Sequence, residues 1–141
     1  MTTTPVRRFA GVILVDPRGW LLLQERDEHA PIDPEHWGLV GGHVEEGEDY
    51  GPAAQRELAE ETGLAADDLV LWRHVAVHGG EDTMAVYVAA TGATDADVVC
   101  GEGRQIVFVE PGLARSLRLS QAAAIVVPAF LDSPEYASLL P

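Results

Sequence analysis

The chain predicts a mixed-sheet α/β (α+β) fold with helices on the faces of a central β-sheet. Two patterns carry the prediction. Short β-branched runs bounded by turn residues recur along most of its length, and two segments, near Asp49 and near Ser120, switch to a helical pattern. With 141 residues, 47% hydrophobic and 23% charged, the chain has the size and composition of one globular domain, read as residues 1–141.

Residues 8–15 and 20–24 are apolar runs separated by the turn sequence DPRG, and read as two strands of a hairpin. Residues 25–36 are polar, contain two prolines and read as a surface loop, after which Trp37 to Val40 resumes an apolar run. From Asp49 to Thr62 the spacing predicts a helix, with Pro52 in its first turn and Gly63 placed to end it. LVLWRHVAVH and TMAVYVAA flank GGED as a second hairpin, residues 91–105 form a loop, and IVFV is a short strand. A last helix starts at Ser120, a good N-cap, with Pro128 ending or kinking it. The order read from sequence is β-β-β-α-β-β-β-α.

The formal net charge of −14 opposes attraction to nucleic-acid polymers or anionic lipid, both of which reward basic surfaces. All nine basic residues are Arg, so any fixed cation here is a planar, bidentate phosphate clamp. Cys100 is the one cysteine, which removes intrachain disulfides and multi-cysteine zinc sites and suggests a reducing compartment. The segment MTTTPVRRFAGVILVD carries no small-residue cleavage pattern, and no apolar run approaches the roughly 20 residues of a membrane span. A cytoplasmic location is expected.

The stretch GGHVEEGEDYGPAAQRELAEETGL, residues 41–64, holds seven acidic side chains. Glu57, Glu60 and Glu61 stand at i, i+3 and i+4 and share an arc of about 100° on one helix face. Like charges at that spacing are mildly unfavourable unless a cation joins them, and a hard divalent ion with oxygen ligands suits such a patch. An EE pair alone would read as a solvated face with Arg56 paired to Glu60 one turn on. Here the carboxylates adjoin the apolar positions Ala54 and Leu58, and follow the Gly41-Gly42 pair and a loop with Glu45, Glu46 and Glu48.

From Gly42 the chain reads Gly, five residues, Glu48, seven residues, then Arg56-Glu57-Leu58-Ala59-Glu60-Glu61-Thr62-Gly63-Leu64. This resembles the complete signature of the Nudix hydrolases and is MutT-like. The resemblance implies an α/β/α sandwich with a mixed central sheet, and hydrolysis of a nucleoside diphosphate linked to another moiety, with Mg²⁺ or Mn²⁺. Position by position, Glu57, Glu60 and Glu61 resemble the metal-binding carboxylates, with the Gly41 carbonyl as a further ligand, and Arg56 and Glu48 resemble the pair that orients them. Outside the motif, Glu102 matches a place for an additional metal-binding or catalytic carboxylate, and Arg26 a place for a phosphate contact, with Arg104 a lesser candidate. Gly42 and His43 are expected to line the substrate site. Glu57 is the expected general base and Glu102 the second choice.

Substrate choice lies outside the motif. Gly79 and Gly80 stand where ADP-ribose-cleaving relatives tend to carry proline, and Glu81 and Asp82 where dinucleoside-polyphosphate relatives tend to carry tyrosine. Isopentenyl diphosphate isomerase shares the fold but needs a cysteine ahead of the motif, whereas Cys100 follows it. The default is a nucleoside triphosphate pyrophosphohydrolase giving a monophosphate and pyrophosphate. Nucleotide-sugar or other diphosphate hydrolysis is the alternative, and a non-catalytic Nudix-fold ligand-binding module a further one. Ser120 and Gln121 are loose candidates for a base contact, and Trp20, Trp37 and Trp72 read as core or pocket wall. The expected partner is a small nucleoside diphosphate derivative, with no nucleic-acid polymer and no membrane; a homodimer is left open.

Overall fold

In the computed structural model, which describes residues 6–141, six strands form one mixed sheet in the order β4-β5-β1-β3-β2-β6. The strands are β1 (Arg8–Val15), β2 (Leu21–Glu25), β3 (Trp37–His43), β4 (Val70–Val77), β5 (Asp82–Ala90) and β6 (Gln105–Val109). The helices are α1 (Tyr50–Thr62), α2 (Pro111–Ser116), α3 (Gln121–Leu131) and α4 (Pro134–Leu139). Residues 1–5, the first part of the segment read as lacking a cleavage pattern, lie outside the described residues.

Alternation along the strands feeds two cores, as a sheet covered on both faces requires. On one face Phe9, Ile13, Leu21, Leu23 and Val86 pack with Val126 and Phe130 of α3. On the other, Ala10, Val12, Leu14, Leu22 and Phe108 pack with Ala53, Ala54 and Leu58 of α1. Leu58 is fully buried, which contributes about 1.5–3 kcal/mol by removing its side chain from water. Trp37 and Trp72 join the first core and Trp20 the second, in keeping with the core reading of all three.

β1 and β2 do not form the expected hairpin. They meet only at Val15 and Leu21, and β3 lies between them, antiparallel to both. The DPRG turn closes locally because the buried Asp16 carboxylate accepts from the Arg18 and Trp20 N–H groups at 2.9 and 3.0 Å; beyond it the strands diverge. β3 also runs three residues further than the apolar run, through Gly41, Gly42 and His43, which pair with Gly11, Ala10 and Phe9. The second hairpin is present, with Val77 opposite Asp82.

α1 is capped at its C-terminus by Gly63 at φ 72°, whose N–H donates to the Ala59 carbonyl. Ser120 caps α3 through its Oγ, which accepts from Ala123 N–H, and the helix continues through Pro128 to Leu131, so proline does not end it. Two helices escaped the sequence reading because six residues are too few to show a 3.6-residue period. Their signals are at their starts. Pro111 follows Glu110, whose carboxylate accepts from Gly112 and Leu113 N–H, and Pro134 follows Ser133, whose Oγ accepts from Tyr136 N–H.

Gly41 stands at φ 150°, and a Cβ there would fall 2.1 Å from the Ala10 carbonyl oxygen of the neighbouring strand. Backbone cannot yield as a flexible side chain can. Gly41→Ala is expected to lower the unfolding free energy by about 3 kcal/mol or more, read as a shift in the urea midpoint; an unshifted midpoint would show that β1 and β3 can separate freely.

Candidate active site

Arg56, on the exposed side of α1, gathers the chain around it. Its Nε and Nη2 donate to the two oxygens of Glu48 at 2.8 and 2.9 Å, a bidentate pair. Nη1 donates to Glu57 at 2.9 Å and to Glu60 at 3.2 Å, and Nη2 also donates to the His43 carbonyl at 3.0 Å. The guanidinium, helped by the Glu45 N–H, holds the Glu48 carboxyl down at about 2. One cation thereby fixes the 43–48 loop, the end of β3 and the acidic face of α1.

Glu61 lies on the inner side of that face and is only 4% exposed. Its Oε2 accepts from Gly41 N–H at 3.2 Å. Burial, followed by the neighbouring Glu57 and Glu102 charges, pushes its carboxyl up to about 8. Gly42 leaves room for the second carboxylate, since a Cβ there would sit 2.7 Å from the Glu57 carboxyl group. The Glu102 turn reaches the same place because Gly101 N–H donates to the Glu61 carbonyl at 2.8 Å and the buried Gln24 amide donates to the Glu102 carbonyl at 2.9 Å.

These groups border a cleft of about 450 Å³. Its lining includes Glu57 and Glu61, the glycines Gly41 and Gly42, and the apolar Phe9, Leu39 and Met84. Arg26, His43 and Glu102 also line it. The Arg26 guanidinium donates to the Ile32 carbonyl at 2.7 Å, has no carboxylate ion-pair partner among the described residues, and has its pKa lowered by burial. The His43 ring is exposed and stacks against Phe9, centroids 4.4 Å apart.

Not every expected residue joins them. Glu60 is outside the lining, its side chain 59% exposed, and makes the i,i+4 pair with Arg56. Arg104 is engaged by Glu28 and Glu35 at 2.8 and 3.2 Å. Ser120 borders the cleft, but its hydroxyl caps α3. Sequence reading missed Gln24, which a buried-face position shared with Leu22 could have revealed as a polar residue where an apolar one belongs. It also missed the lining by residues 27 and 29–32, for which no local signal exists.

Among the described residues no three Asp, Glu, His or Cys side chains are already set out as a metal-ligand group; Arg56 draws Glu57 and Glu60 toward itself. The donor chemistry nevertheless fits a hard divalent cation. Three carboxylates, Glu57, Glu61 and Glu102, border one cleft, and Glu61 is buried beside the other two with no ion-pair partner among the described residues.

The mixed sheet flanked by helices, with acidic side chains from α1 and from the turn before β6 at one cleft, defines an α/β domain. The chain matches the NUDIX domain over residues 5–129 and belongs to that family. An RNA pyrophosphohydrolase of Caulobacter vibrioides is 47% identical over 60 residues, covering 43% of this chain and 34% of that protein. The chain thus matches about a third of the length of its curated relatives. A MutT NUDIX hydrolase from Burkholderia pseudomallei superimposes with a TM-score of 0.73 at 26% identity, over 89% of this chain and 98% of that one. The E. coli dihydroneopterin triphosphate pyrophosphohydrolase shares the fold, with a TM-score of 0.70 at 22% identity over 90% and 97% of the two chains. No helix among the described residues is long and apolar enough to cross a membrane.

The raised Glu61 pKa sets a pH dependence in metal-free protein. The folded carboxyl titrates near 8 against an ordinary 4.5, so the native state holds the proton more tightly than the unfolded chain. The associated stability is complete below about 4.5 and is lost as pH rises through about 8. Glu61→Gln, neutral throughout, should gain on the wild type between about pH 5 and 9. Urea midpoints measured in EDTA test this, and a constant difference over that range would mean that Glu61 is ionised in the fold.

Proposed function

We propose that this chain hydrolyses nucleoside triphosphates to a nucleoside monophosphate and pyrophosphate, using Mg²⁺ or Mn²⁺. The observation that carries this reading is one cleft lined by three kinds of group: the carboxylates Glu57, Glu61 and Glu102, the Arg26 guanidinium with no carboxylate ion-pair partner among the described residues, and the apolar Phe9, Leu39 and Met84. A triphosphate has the matching parts.

The ion would be held by Glu57, Glu61 and Glu102, joined by Glu60 and the Gly41 carbonyl. When bound, it supplies neutralisation of phosphate oxygens and a more acidic water. Glu57 is the base in this reading. It borders the cleft while Arg56 holds one of its oxygens at 2.9 Å, which fixes the carboxylate without burying it. It takes the proton of the water that attacks phosphorus in line, and the phosphoanhydride oxygen leaves with pyrophosphate. Glu102 is the alternative base. Arg26 binds the phosphates and, being partly desolvated, gains more from an anion than a surface arginine would. Gly42 makes room for the Glu57 carboxylate beside the phosphates, and His43 offers an exposed ring next to it.

A second reading, removal of pyrophosphate from the 5′ end of RNA, has one observation behind it: the 47% identity over 60 residues to a protein named for that activity. The net charge of −14 weighs against it, because polymer binding is driven by phosphate contacts to basic residues. Every motif carboxylate is kept, which weighs against a non-catalytic binding module.

Incubation with Mg²⁺ and separate nucleoside triphosphates, nucleotide sugars and a 5′-triphosphate oligoribonucleotide tests the reading, with pyrophosphate detected through a coupled pyrophosphatase and monophosphate products through a coupled phosphatase. Monophosphate and pyrophosphate should form from free nucleotides and cease with EDTA; preference for the oligoribonucleotide would establish the second reading instead. Glu57→Gln should lower kcat by about a hundredfold or more at saturating metal, and turnover within a few-fold of the wild type would remove Glu57 as base.

A further inference from the structure

Arg104 matched a possible phosphate contact in the sequence, yet in the structure its guanidinium is already occupied. Nη2 donates to Glu28 at 2.8 Å and to Glu35 at 3.2 Å, and Nη1 lies 3.9 Å from Glu25. Glu25 ends β2, and Glu28 and Glu35 come from the two ends of the loop that follows, residues 26–36, which connects β2 to β3 and supplies a side wall of the cleft through Arg26, Asp27 and residues 29–32.

The loop is held in a conformation its residues would not choose. Asp33 and Glu35 have φ of 45° and 64°, although neither is glycine. Such backbone persists only where its surroundings over-determine it. Here the Asp33 carboxylate accepts from Gln121 N–H at 2.8 Å, Glu35 N–H donates to the Asp27 carbonyl at 3.1 Å, and the Glu35 carboxylate takes Arg104. The base of the latch is fixed as well, because Arg104 N–H donates to the Glu25 carbonyl at 2.9 Å in the turn that carries Glu102.

Besides lining the cleft, the loop reaches the site through Arg26, whose guanidinium donates to the Ile32 carbonyl at 2.7 Å, near the middle of the loop. An isolated exposed ion pair would contribute little, but two carboxylates converging on one guanidinium, with the backbone tied beside it, form a network. We propose that Arg104 is a positioning residue: it latches the 26–36 loop by Glu28 and Glu35, and through Ile32 sets where Arg26 meets the substrate's phosphates. The consequence for phosphate binding rests on the function proposed above; the latch itself does not.

The test compares wild type, Arg104→Gln, Arg104→Lys and the double variant Glu28→Gln/Glu35→Gln by amide hydrogen exchange and by steady-state kinetics on the hydrolysed nucleotide. Exchange within residues 27–35 should rise about tenfold in Arg104→Gln and in the double variant while α1 and β1 keep their protection, with Arg104→Lys between. KM should rise about five- to tenfold with kcat within about twofold. In an Arg26→Ala background Arg104→Gln should leave KM unchanged, since the latch acts through Arg26. Unchanged exchange in the loop, a fall in kcat at constant KM, or independent addition of the Arg26 and Arg104 effects would each overturn the proposal. If the wild type hydrolyses no nucleotide, the function proposed above fails while the exchange comparison still judges the latch.

Discussion

Packing carboxylates together costs free energy, and this chain does so around one guanidinium. Arg56 reaches Glu48, Glu57, Glu60 and the His43 carbonyl at 2.8–3.2 Å. Without it, three acids on one helix face and a fourth in the preceding loop would repel, and nothing would tie the loop to the helix. Because its planar fork bonds both Glu48 oxygens, a lysine could not replace it: a point charge cannot fix two acceptors and still reach Glu57. The Glu48 carboxyl, drawn down to about 2, stays ionised at any physiological pH and keeps the clamp intact.

Arg56 leaves Glu61 aside. That carboxylate is buried against Gly41 rather than paired, and its pKa rises where that of Glu48 falls. The two glutamates differ first in burial, which raises the Glu61 carboxyl, and then in access to a cation, which lowers the Glu48 one. The protein's own cation satisfies the outer part of the acidic face and leaves the inner part under-compensated, next to the cleft. A chain of −14 is compatible with the anion site proposed above, because a bound cation, rather than the net charge, would govern the local potential there.

How far the sequence reached follows the range of the interactions involved. α1 and its Gly63 cap lie within residues 49–63, where helical spacing and end signals are local, while the Glu48–Arg56 pairing was expected from the Nudix resemblance alone. The sheet order was not legible, because whether β3 inserts between β1 and β2 depends on pairings such as Gly11 with Gly41 and Leu23 with Leu39, and a turn sequence specifies only its own closure. The same limit applies to the site. Glu57 and Glu61 could be assigned to one helix face, but the solvent position of Glu60 depends on Arg56 competing for it, and Gln24 bonds a residue 78 positions away. The loop 26–36 could be read as a loop; that it forms a wall could not.

This division also separates chemistry from selection in the molecule. The carboxylate lining of the cleft is built from α1 and the end of β3, elements joined by a short loop and braced by Arg56. The apolar lining comes from Phe9 on β1, Leu39 on β3 and Met84 on β5, and the side wall from the 26–36 loop. Phe9, Leu39 and Met84 answer to the α3 core as much as to the cleft, so substitutions there change stability and pocket shape together. The loop is less bound to the core, which it meets through Ile32. Its strained residues are held by polar contacts at the surface, to Arg104 and to the N-terminus of α3, and those contacts can change without disturbing either core. Variation in the occupant of the cleft is therefore most accessible through the loop and its anchors, while the carboxylate lining stays fixed by the guanidinium that first made it possible.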